Sequence, residues 1–493
     1  MIAEHLPALA VAVPLAAAPL MVLVRHAGFA WALAFAASLF AFGASVALAL
    51  EVARAGAISY HLGSWPPPWG IEYRVDALSA FVLVLVSAIG AVVAPYAWRS
   101  VAAEVPREQH YLYYAVYCLC LAGLLGMAIT GDAFNLFVFM EIASLSMYVL
   151  IALGRDRRAL LASFQYLLLG TIGATFYVIG VGLLYLVTGT LNLVDMAERL
   201  GAAGDSRAVL AALAFITVGM SLKLALFPLH LWLPNAYAYA PSAVTALLAA
   251  TATKVSVYVL LRYYFGVFGA GLVVDALPIP EILLGLSVIA IVSASLVALW
   301  QANLKRMLAY SSVAQIGYIT LGIGLATQDG LTAAVAHLFN HGITKGALFL
   351  LVGGIALRAG GVGFERLRGL GRAMPLTSLG FTLAGLSLIG VPGTAGFISK
   401  WYLVLGAIEA GLWWLAAVVV LTSLIAVAYV WRFVEAAYLS EPAPGAATAA
   451  EAPISMLALS WVLVGACLWF GFDTSFTVEG ARSAARLMLG GAP

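Results

Sequence analysis

The stretch "HLFNHGITKGALFL" (residues 337–350) sets two histidines, an asparagine and a lysine between flanks that are almost entirely apolar. His337, His341 and Lys345 follow one another at intervals of four residues, so they share one face of a helix. A charged group in the hydrocarbon core of a bilayer costs about 3 kcal/mol or more, and such groups usually serve a function. The stretch therefore predicts a membrane-spanning helix whose polar stripe faces other protein segments.

The composition of the whole chain indicates a membrane protein. Of its 493 residues, 64% are hydrophobic and 9% are charged, whereas soluble domains carry about 25% charged residues. Apolar runs long enough to cross a bilayer recur from end to end. Because backbone groups in lipid must be hydrogen-bonded internally, and the runs are too long for barrel strands, they predict helices. We expect an all-α polytopic membrane protein with about 14 transmembrane helices and no nucleic acid partner, since there is no basic tail.

Prolines predict two interrupted helices. In "KLALFPLHLWLP" a proline follows Lys223 by five residues, and in "GVPGTAGFISKW" a proline precedes Lys400 by eight. Proline removes a helix hydrogen bond, and the freed carbonyls are tolerated at membrane depth only where protein or water covers them. Broken helices are therefore expected near 223–234 and 388–400, a pairing typical of transporters built from inverted repeats.

The basic residues predict how the chain lies in the membrane. Of 24 lysines and arginines, 13, including Lys305, fall in odd-numbered loops and 5, including Arg262, in even-numbered loops. The positive-inside bias places the odd loops in the cytoplasm, and both termini on the outer side of a prokaryotic cell membrane. Long loops are expected at 51–76, 189–207 and 358–375, and a flexible linker at 441–453.

Ionisable residues within the apolar spans predict a proton path. Four of the five lysines lie inside spans, whereas the arginines are confined to loops and helix ends. Arginine stays charged at any relevant pH, but a buried lysine can load and release a proton. Only one of the 22 acidic residues lies near the middle of a span. The candidate relay residues are Glu141, Lys223, His230, Lys254, His337, His341, Lys345 and Lys400.

Two other interpretations of these residues stay open. Single buried charges can simply join helices to one another, or reach the interface along a flexible side chain. Histidines four residues apart can also chelate zinc, but no carboxylate or thiol is near them in sequence and Lys345 would repel a cation. Cys118, Cys120 and Cys467 lack the spacing of a metal or iron–sulfur site. We therefore predict no metal and no cofactor in this chain.

Four segments together resemble the antiporter-like subunits shared by Mrp-type cation/proton antiporters and respiratory complex I. They are "FNLFVFMEIASL" (134–145), "FPLHLWLPNAYAYAPSAVTALLAATATK" (227–254), "HLFNHGITKGALFL" and "GVPGTAGFISKW" (390–401). The resemblance covers roughly residues 75–435, and within the family the chain is most similar to the D-type subunit of Mrp antiporters. Its "PGTAG" departs from the more usual "PPxxG", which weakens the assignment of the subunit but not that of the family.

The resemblance implies a fold and a set of functional residues. It implies two inverted five-helix repeats at 111–265 and 281–438, preceded by three helices in 1–110 and followed by a linker and C-terminal helix in 439–493. The family's fifth-helix glutamate matches Glu141, and its lysines of the seventh and eighth helices match Lys223 and Lys254. The eleventh-helix residues match His337, His341 and Lys345. Lys400 stands at the twelfth-helix position, where a glutamate would have indicated the M-type subunit of complex I. A lysine there leaves both the N-type subunit of complex I and the D-type subunit of Mrp antiporters open.

The expected mechanism is proton movement across the middle of the membrane. A proton would load Lys223 opposite Glu141, pass through Lys254, His337, His341 and Lys345 to Lys400, and leave by a second half-channel. Its movement would be exchanged for Na⁺ or another monovalent cation, with partner subunits of a hetero-oligomeric complex. The alternatives are a proton-pumping subunit of NADH–quinone oxidoreductase or of a membrane-bound hydrogenase, and a scaffold whose buried charges only hold helices together.

Overall fold

The structure, a computed structural model, describes residues 3–203, 206–442 and 450–490 and is almost entirely helical there. The elements in chain order are α1 (Leu6–Val24), α2 (Ala27–Ala55), β1 (Ile58–His61), β2 (Glu72–Val75), α3 (Ala77–Glu104), α4 (His110–Ile129), α5 (Ala133–Ala152), α6 (Arg157–Thr188), α7 (Leu193–Ala203), α8 (Arg207–Leu224), α9 (Leu233–Tyr239), α10 (Ser242–Leu261), α11 (Ile279–Leu299), α12 (Leu304–Leu325), α13 (Gln328–Ala359), α14 (Phe364–Leu367), α15 (Leu370–Ala373), α16 (Pro375–Ile389), α17 (Ala395–Glu409), α18 (Trp413–Val434), α19 (Ile454–Phe472) and α20 (Gly480–Met488). Short 3₁₀ turns lie at Ala3–His5, Leu62–Ser64 and Arg107–Gln109, and π-helical turns at Arg262–Val267, Gly271–Ala276, Glu435–Leu439 and Ser475–Glu479.

The number of membrane crossings agrees with the prediction from the sequence. In the described part of the chain, 13 helices are long and apolar enough to span a bilayer. Helices α16 and α17 have 15 residues each and are individually too short. Because they follow one another across a five-residue interruption, we count the pair as the fourteenth crossing. The prediction of an all-α polytopic membrane protein is confirmed.

Helices α10 and α13 form the centre of the bundle. Every residue of α10 is buried, and α13 is buried without interruption from Gly330 to Ile355. A helix that is apolar on all sides is expected to be surrounded by other helices. Gly342 brings the two together, because a Cβ there would lie 2.9 Å from the carbonyl oxygen of Ala250. The polar stripe of α13 is therefore enclosed by protein.

Both predicted helix interruptions are present. Helix α8 ends at Leu224, and Ala225 takes a left-handed conformation with φ of 60°. The Trp232 Nε1 atom donates to the freed carbonyl of Leu222 at 2.9 Å, which covers it within the protein. In the second interruption Gly390 has φ of 90°, and a Cβ there would lie 2.8 Å from Cδ of Lys400. Glycine is required at that position both by the backbone and by the lysine packed against it.

One of the expected long loops contains a β-hairpin. Strands β1 and β2 pair antiparallel within 51–76, where no regular structure was expected from the sequence. The buried Glu72 carboxylate accepts hydrogen bonds from Ser59 at 2.5 Å and from Asn192 at 2.8 Å. The first bond joins the two strands and the second ties the hairpin to the segment before α7. A long-range contact therefore helps to order a stretch whose local sequence is typical of a loop.

The interpretation of 189–207 as a loop was also wrong, because α7 lies there. Its start is capped by Asn192, whose Oδ1 accepts from the backbone N–H groups of Val194 and Asp195 at 3.0 and 3.1 Å. Short helices α14 and α15 lie within 358–375. Residues 443–449 of the predicted linker lie outside the described residues. The division into repeats at 111–265 and 281–438 stays a prediction, although each contains one interrupted helix.

Candidate functional site

Lys223 and Glu141 lie together at the first interruption. Lys223 is in the last turn of α8, and its Nζ atom is 3.6 Å from Oε1 of Glu141 in α5. The same Nζ donates to the Ser144 hydroxyl at 2.8 Å. The Lys223 side chain is buried, whereas Glu141 is partly exposed. Among the described residues this is the single ion pair whose two members both lie in membrane-spanning helices.

Lys254 and Lys345 occupy the centre of the bundle without any acidic partner within ion-pair distance in the described structure. The Lys254 Nζ donates to the carbonyl of Ala249 within its own helix at 2.5 Å. The Lys345 Nζ donates across to α12, to the carbonyl of Leu308 at 2.7 Å and to the Ser311 hydroxyl at 2.5 Å. Both lysines are fully buried and are satisfied by neutral oxygens. Two ammonium groups so placed repel each other in a medium of low dielectric constant.

His337 is bonded on both sides of its ring. Its Nε2 atom lies 2.8 Å from Oε1 of Gln315 in α12, and its Nδ1 atom lies 2.7 Å from the Ser399 hydroxyl in α17. A carbonyl oxygen can only accept, so the proton of a neutral ring lies on Nε2, and Nδ1 accepts from Ser399. Protonation of Nδ1 would turn the Ser399 hydroxyl toward the carbonyl of Gly396, 3.2 Å away. The ring can thus take up a proton with a small rearrangement.

His341 stacks beside His337 and has free nitrogens. The two ring centroids are 5.8 Å apart and the planes differ by 8°. Neither nitrogen of His341 has a hydrogen-bond partner among the described residues, although the residue is buried. The Asn340 Oδ1 atom is also without a partner there, while its Nδ2 donates to the carbonyl of Ala395 at 2.8 Å. Buried polar atoms of this kind usually bind ordered water.

Lys400 closes the second interruption. Its Nζ reaches back across the break and donates to the carbonyl of Ile389 at 2.8 Å and to the Ser423 hydroxyl at 3.0 Å. It also lies 4.6 Å from the ring centroid of Tyr318. The carbonyl end of α16 carries a partial negative charge, which favours a cation at this position.

His230 lies within the first interruption, apart from the stripe on α13. Its ring stacks on Phe227 with centroids 5.3 Å apart and meets the edge of Tyr310 at 6.5 Å. Its Nδ1 atom has no hydrogen-bond partner in the described part of the chain. The structure therefore brings seven of the eight predicted residues into two groups, around Lys223 and around α13, and leaves His230 next to the first of them.

The sequence interpretation missed Lys305. It was assigned to a loop, but it lies in the first turn of α12 and is 5% exposed. Its Nζ donates to the carbonyl of Ala240 at 3.2 Å, at the C-terminal end of α9. All five lysines are thus buried, and Lys305 joins the second half of the chain to the broken helix of the first.

One face of α12 supplies partners to three relay residues, which was also missed. Ser311, Gln315 and Tyr318 contact Lys345, His337 and Lys400 respectively. Their spacing of four and three residues follows a helix face and could have been read from the sequence. The Tyr429 hydroxyl in α18 faces the same region, is fully buried and has no hydrogen-bond partner among the described residues.

Comparison with protein families gives one match that covers most of the bundle. The model described as "NADH:quinone oxidoreductase/Mrp antiporter, TM" matches residues 130–426. This range includes both interruptions and every predicted site residue. The site therefore lies within the part of the chain that the family shares.

Individual relatives come from two kinds of assembly. The chain is 46% identical to the N-type subunit of NADH-quinone oxidoreductase from Desulforudis audaxviator, over 91% of this chain and 89% of the relative. It is 32% identical to the D-type subunit of a Na⁺/H⁺ antiporter from Alkalihalophilus pseudofirmus, over 74% and 72% of the two chains. A chain in the solved Mrp complex of a Dietzia species superposes with a TM-score of 0.91 at 28% identity, covering 99% of this chain and 98% of that one.

Proposed function

Because the chain belongs to the NADH:quinone oxidoreductase/Mrp antiporter transmembrane family, we propose that it is the proton-translocating subunit of a multisubunit monovalent cation/proton antiporter. One observation carries this proposal: buried lysines and histidines run between two broken helices, and a carboxylate lies beside the first lysine. Interrupted helices at membrane depth are typical of ion sites in transporters.

The proposed path begins at Lys223 and ends at Lys400. A proton enters at the interruption between α8 and α9 and loads Lys223, whose charged form Glu141 stabilises. It passes to Lys254 and then to the stripe on α13. Since His337 is the stripe residue bonded to α17, we order the stripe from Lys345 through His341 to His337, the reverse of the order expected from sequence. Water at the free nitrogens of His341 would complete the connection.

Exchange of the second ion is assigned to partner subunits. Lys254, Lys345 and Lys400 are satisfied by backbone and hydroxyl oxygens rather than by carboxylates, so this part of the path holds positive groups and no carboxylate that would attract a metal cation. We propose that Na⁺ or another monovalent cation crosses elsewhere in a hetero-oligomeric complex in a prokaryotic cell membrane. The solved Mrp complex, which contains a similar chain, supports the presence of partner subunits.

Both termini are proposed to lie on the outer side of that membrane. The thirteen long helices and the α16–α17 pair make fourteen crossings, and an even number puts the two termini on the same side. Lys305 and Arg262 no longer count as loop charges, because the structure buries the first and pairs the second with Asp76. The counts of basic residues in the odd-numbered and even-numbered loops each fall by one, so the odd-numbered loops still carry the excess. Labelling of single cysteines near each terminus in intact cells would test the orientation.

A second candidate is a proton-pumping subunit of a redox-driven membrane complex. The observation that favours it is the 46% identity to a subunit of NADH-quinone oxidoreductase. Protons would move along the same residues, but electron transfer in partner subunits would supply the energy.

The deciding experiment is purification of the native complex in mild detergent through a tag on this chain, followed by mass spectrometry and transport assays. An antiporter should contain hydrophobic subunits only, and in vesicles an imposed Na⁺ gradient should change the internal pH. Flavin- or iron–sulfur-containing partners, with proton uptake dependent on an electron donor, would establish the second candidate. No proton movement under either driving force would refute both.

A further inference from the structure

A cleft with two arginines lies at the end of the bundle that carries the odd-numbered loops. It has a volume of about 450 Å³ and is lined by Arg99, Ala102 and Ala103 of α3, Leu357 and Arg358 of α13, and Pro453 before α19. It is remote from the relay, since Arg358 is 13 residues beyond Lys345 in the same helix. The cleft combines two cationic side chains with an apolar wall.

The two arginines are exposed and have no acidic partner among the residues that the structure describes. No carboxylate in the described part of the chain lies within ion-pair distance of either guanidinium. The nearby Glu451 carboxylate is already used, because it accepts from the backbone N–H of Leu376 at 2.8 Å and from the Thr377 hydroxyl. The neighbouring residues 443–449, "APGAATA", include no acidic residue. The positive charge of the cleft is therefore not neutralised by these segments.

Arg358 is held in a defined position. Its Nε atom donates to the backbone carbonyl of Glu451 at 3.0 Å. Nη1 and Nη2 remain available for a ligand, and two such N–H groups match the oxygens of a phosphate. An arginine fixed at Nε loses less side-chain freedom on binding than a free surface arginine.

The surroundings of the cleft favour an amphiphile over a soluble anion. Trp98, next to Arg99, is 42% exposed, and Ile454, next to Pro453, is 85% exposed. Exposed tryptophan is typical of the level at which lipid headgroups meet the hydrocarbon core. A ligand here can place its anionic group between the arginines and its apolar part along Leu357, Pro453 and these outward-facing side chains.

We propose that this cleft binds the headgroup phosphate of an anionic phospholipid, with an acyl chain lying against the apolar wall. Basic clefts between transmembrane helices on the side of the basic loops are suited to such headgroups. The site lies at the end of α13, the helix that carries the relay stripe, so the lipid packs against that helix. The proposal does not depend on which ion the complex transports.

The test uses the intact complex with an Arg99→Gln/Arg358→Gln double variant. The matched control is Arg157→Gln/Arg368→Gln, which removes two exposed arginines from the same end of the bundle, outside the cleft. Each complex is delipidated and titrated with short-chain phosphatidylglycerol, with phosphatidylcholine and with inorganic phosphate, and native mass spectrometry counts bound molecules. The cleft variant should bind phosphatidylglycerol about 30-fold more weakly, which corresponds to about 1 kcal/mol for each of the two arginines removed. The affinity of the control variant for phosphatidylglycerol should be unchanged.

Three results would overturn the proposal. If the cleft and control variants lose phosphatidylglycerol binding equally, the lipid is attracted only by the general positive charge of the surface. Binding of inorganic phosphate with the same affinity as phosphatidylglycerol would make the site one for a soluble anion. Loss of a partner subunit from the cleft variant, with lipid binding unchanged, would show that the arginines hold an acidic segment of that subunit. Gel filtration and subunit analysis of each variant identify the last case.

Discussion

Replacing Glu141 with glutamine keeps the shape of the side chain and removes the charge beside Lys223. With Nζ and Oε1 3.6 Å apart, opposite unit charges attract by about 4.6 kcal/mol at an effective dielectric constant of about 20. The Glu141 side chain is 26% exposed, and solvent screens a charge in that position, so about half of this, roughly 2 kcal/mol, is a reasonable value. That is a factor of about 30 in any equilibrium that separates the two charges.

The Glu141→Gln variant should therefore assemble normally and transport protons about 10-fold more slowly or worse, because Lys223 no longer has a charged partner when it loads. The assay is the initial rate of pH change in vesicles containing purified complex, driven by an imposed ion gradient or by the electron donor that the native complex uses. Subunit content is measured on the same preparation.

The control is Glu198→Gln, which neutralises an exposed carboxylate on α7, a helix that carries no residue of the proposed path. This variant should keep the wild-type rate. If Glu141→Gln is fully assembled and transports as fast as this control, the ion pair has no part in translocation and the reasoning from its geometry is refuted.

Three more variants test other parts of the structure. Lys400→Met should give an assembled complex with transport reduced about 10-fold or more; a complex that falls apart would instead show that Lys400 only joins helices. Tyr429→Phe should slow transport about 3-fold, because its buried hydroxyl, which has no protein partner in the described structure, is placed to bind water beside the proposed path. Tyr113→Phe, which removes another buried hydroxyl without a partner there, should not slow it; equal rates would exclude Tyr429 from the path. Asp76→Asn should lower stability at pH 7 by about 2 kcal/mol, since it breaks a partly buried pair with Arg262. Burial raises the pKa of the Asp76 carboxyl, but the Arg262 charge and the hydrogen bonds to it outweigh burial and leave that pKa below its usual value. The stabilisation is therefore present above about pH 4 and lost as the pH falls through the lowered pKa; thermal unfolding should show the difference from wild type shrinking in acid, and a constant difference would contradict this assignment.

The sequence was sufficient for features that depend on local chemistry. Prolines near Lys223 and Lys400 predicted both helix interruptions, because proline changes the backbone whatever surrounds it. The apolar runs predicted the crossings, because bilayer thickness sets their length. The four-residue spacing from His337 to Lys345 correctly predicted a shared helix face.

Features that depend on contacts between distant segments were not predictable. Lys305 follows a polar stretch, and this local sequence predicts a lysine in a loop. It is buried because α12 packs against the end of α9. The bonds from His337 to Gln315 and Ser399 join three helices, so nothing in any one of them predicts the others. The hairpin in 51–76 likewise depends on Glu72 meeting Asn192 across 120 residues of chain.

The buried lysines affect whether sodium ions could leak through the protein. Cells contain far more sodium ions than free protons, so any continuous polar route through a membrane protein risks dissipating the sodium gradient. In the described structure the route from Lys254 to Lys400 passes ammonium and imidazole groups bonded to neutral oxygens. A proton can travel there as part of the side chains themselves, whereas a sodium ion would have to pass these basic groups without a carboxylate to bind it. On the proposed path the lysines would thus favour the proton by repelling its competitor, without a size-selective filter.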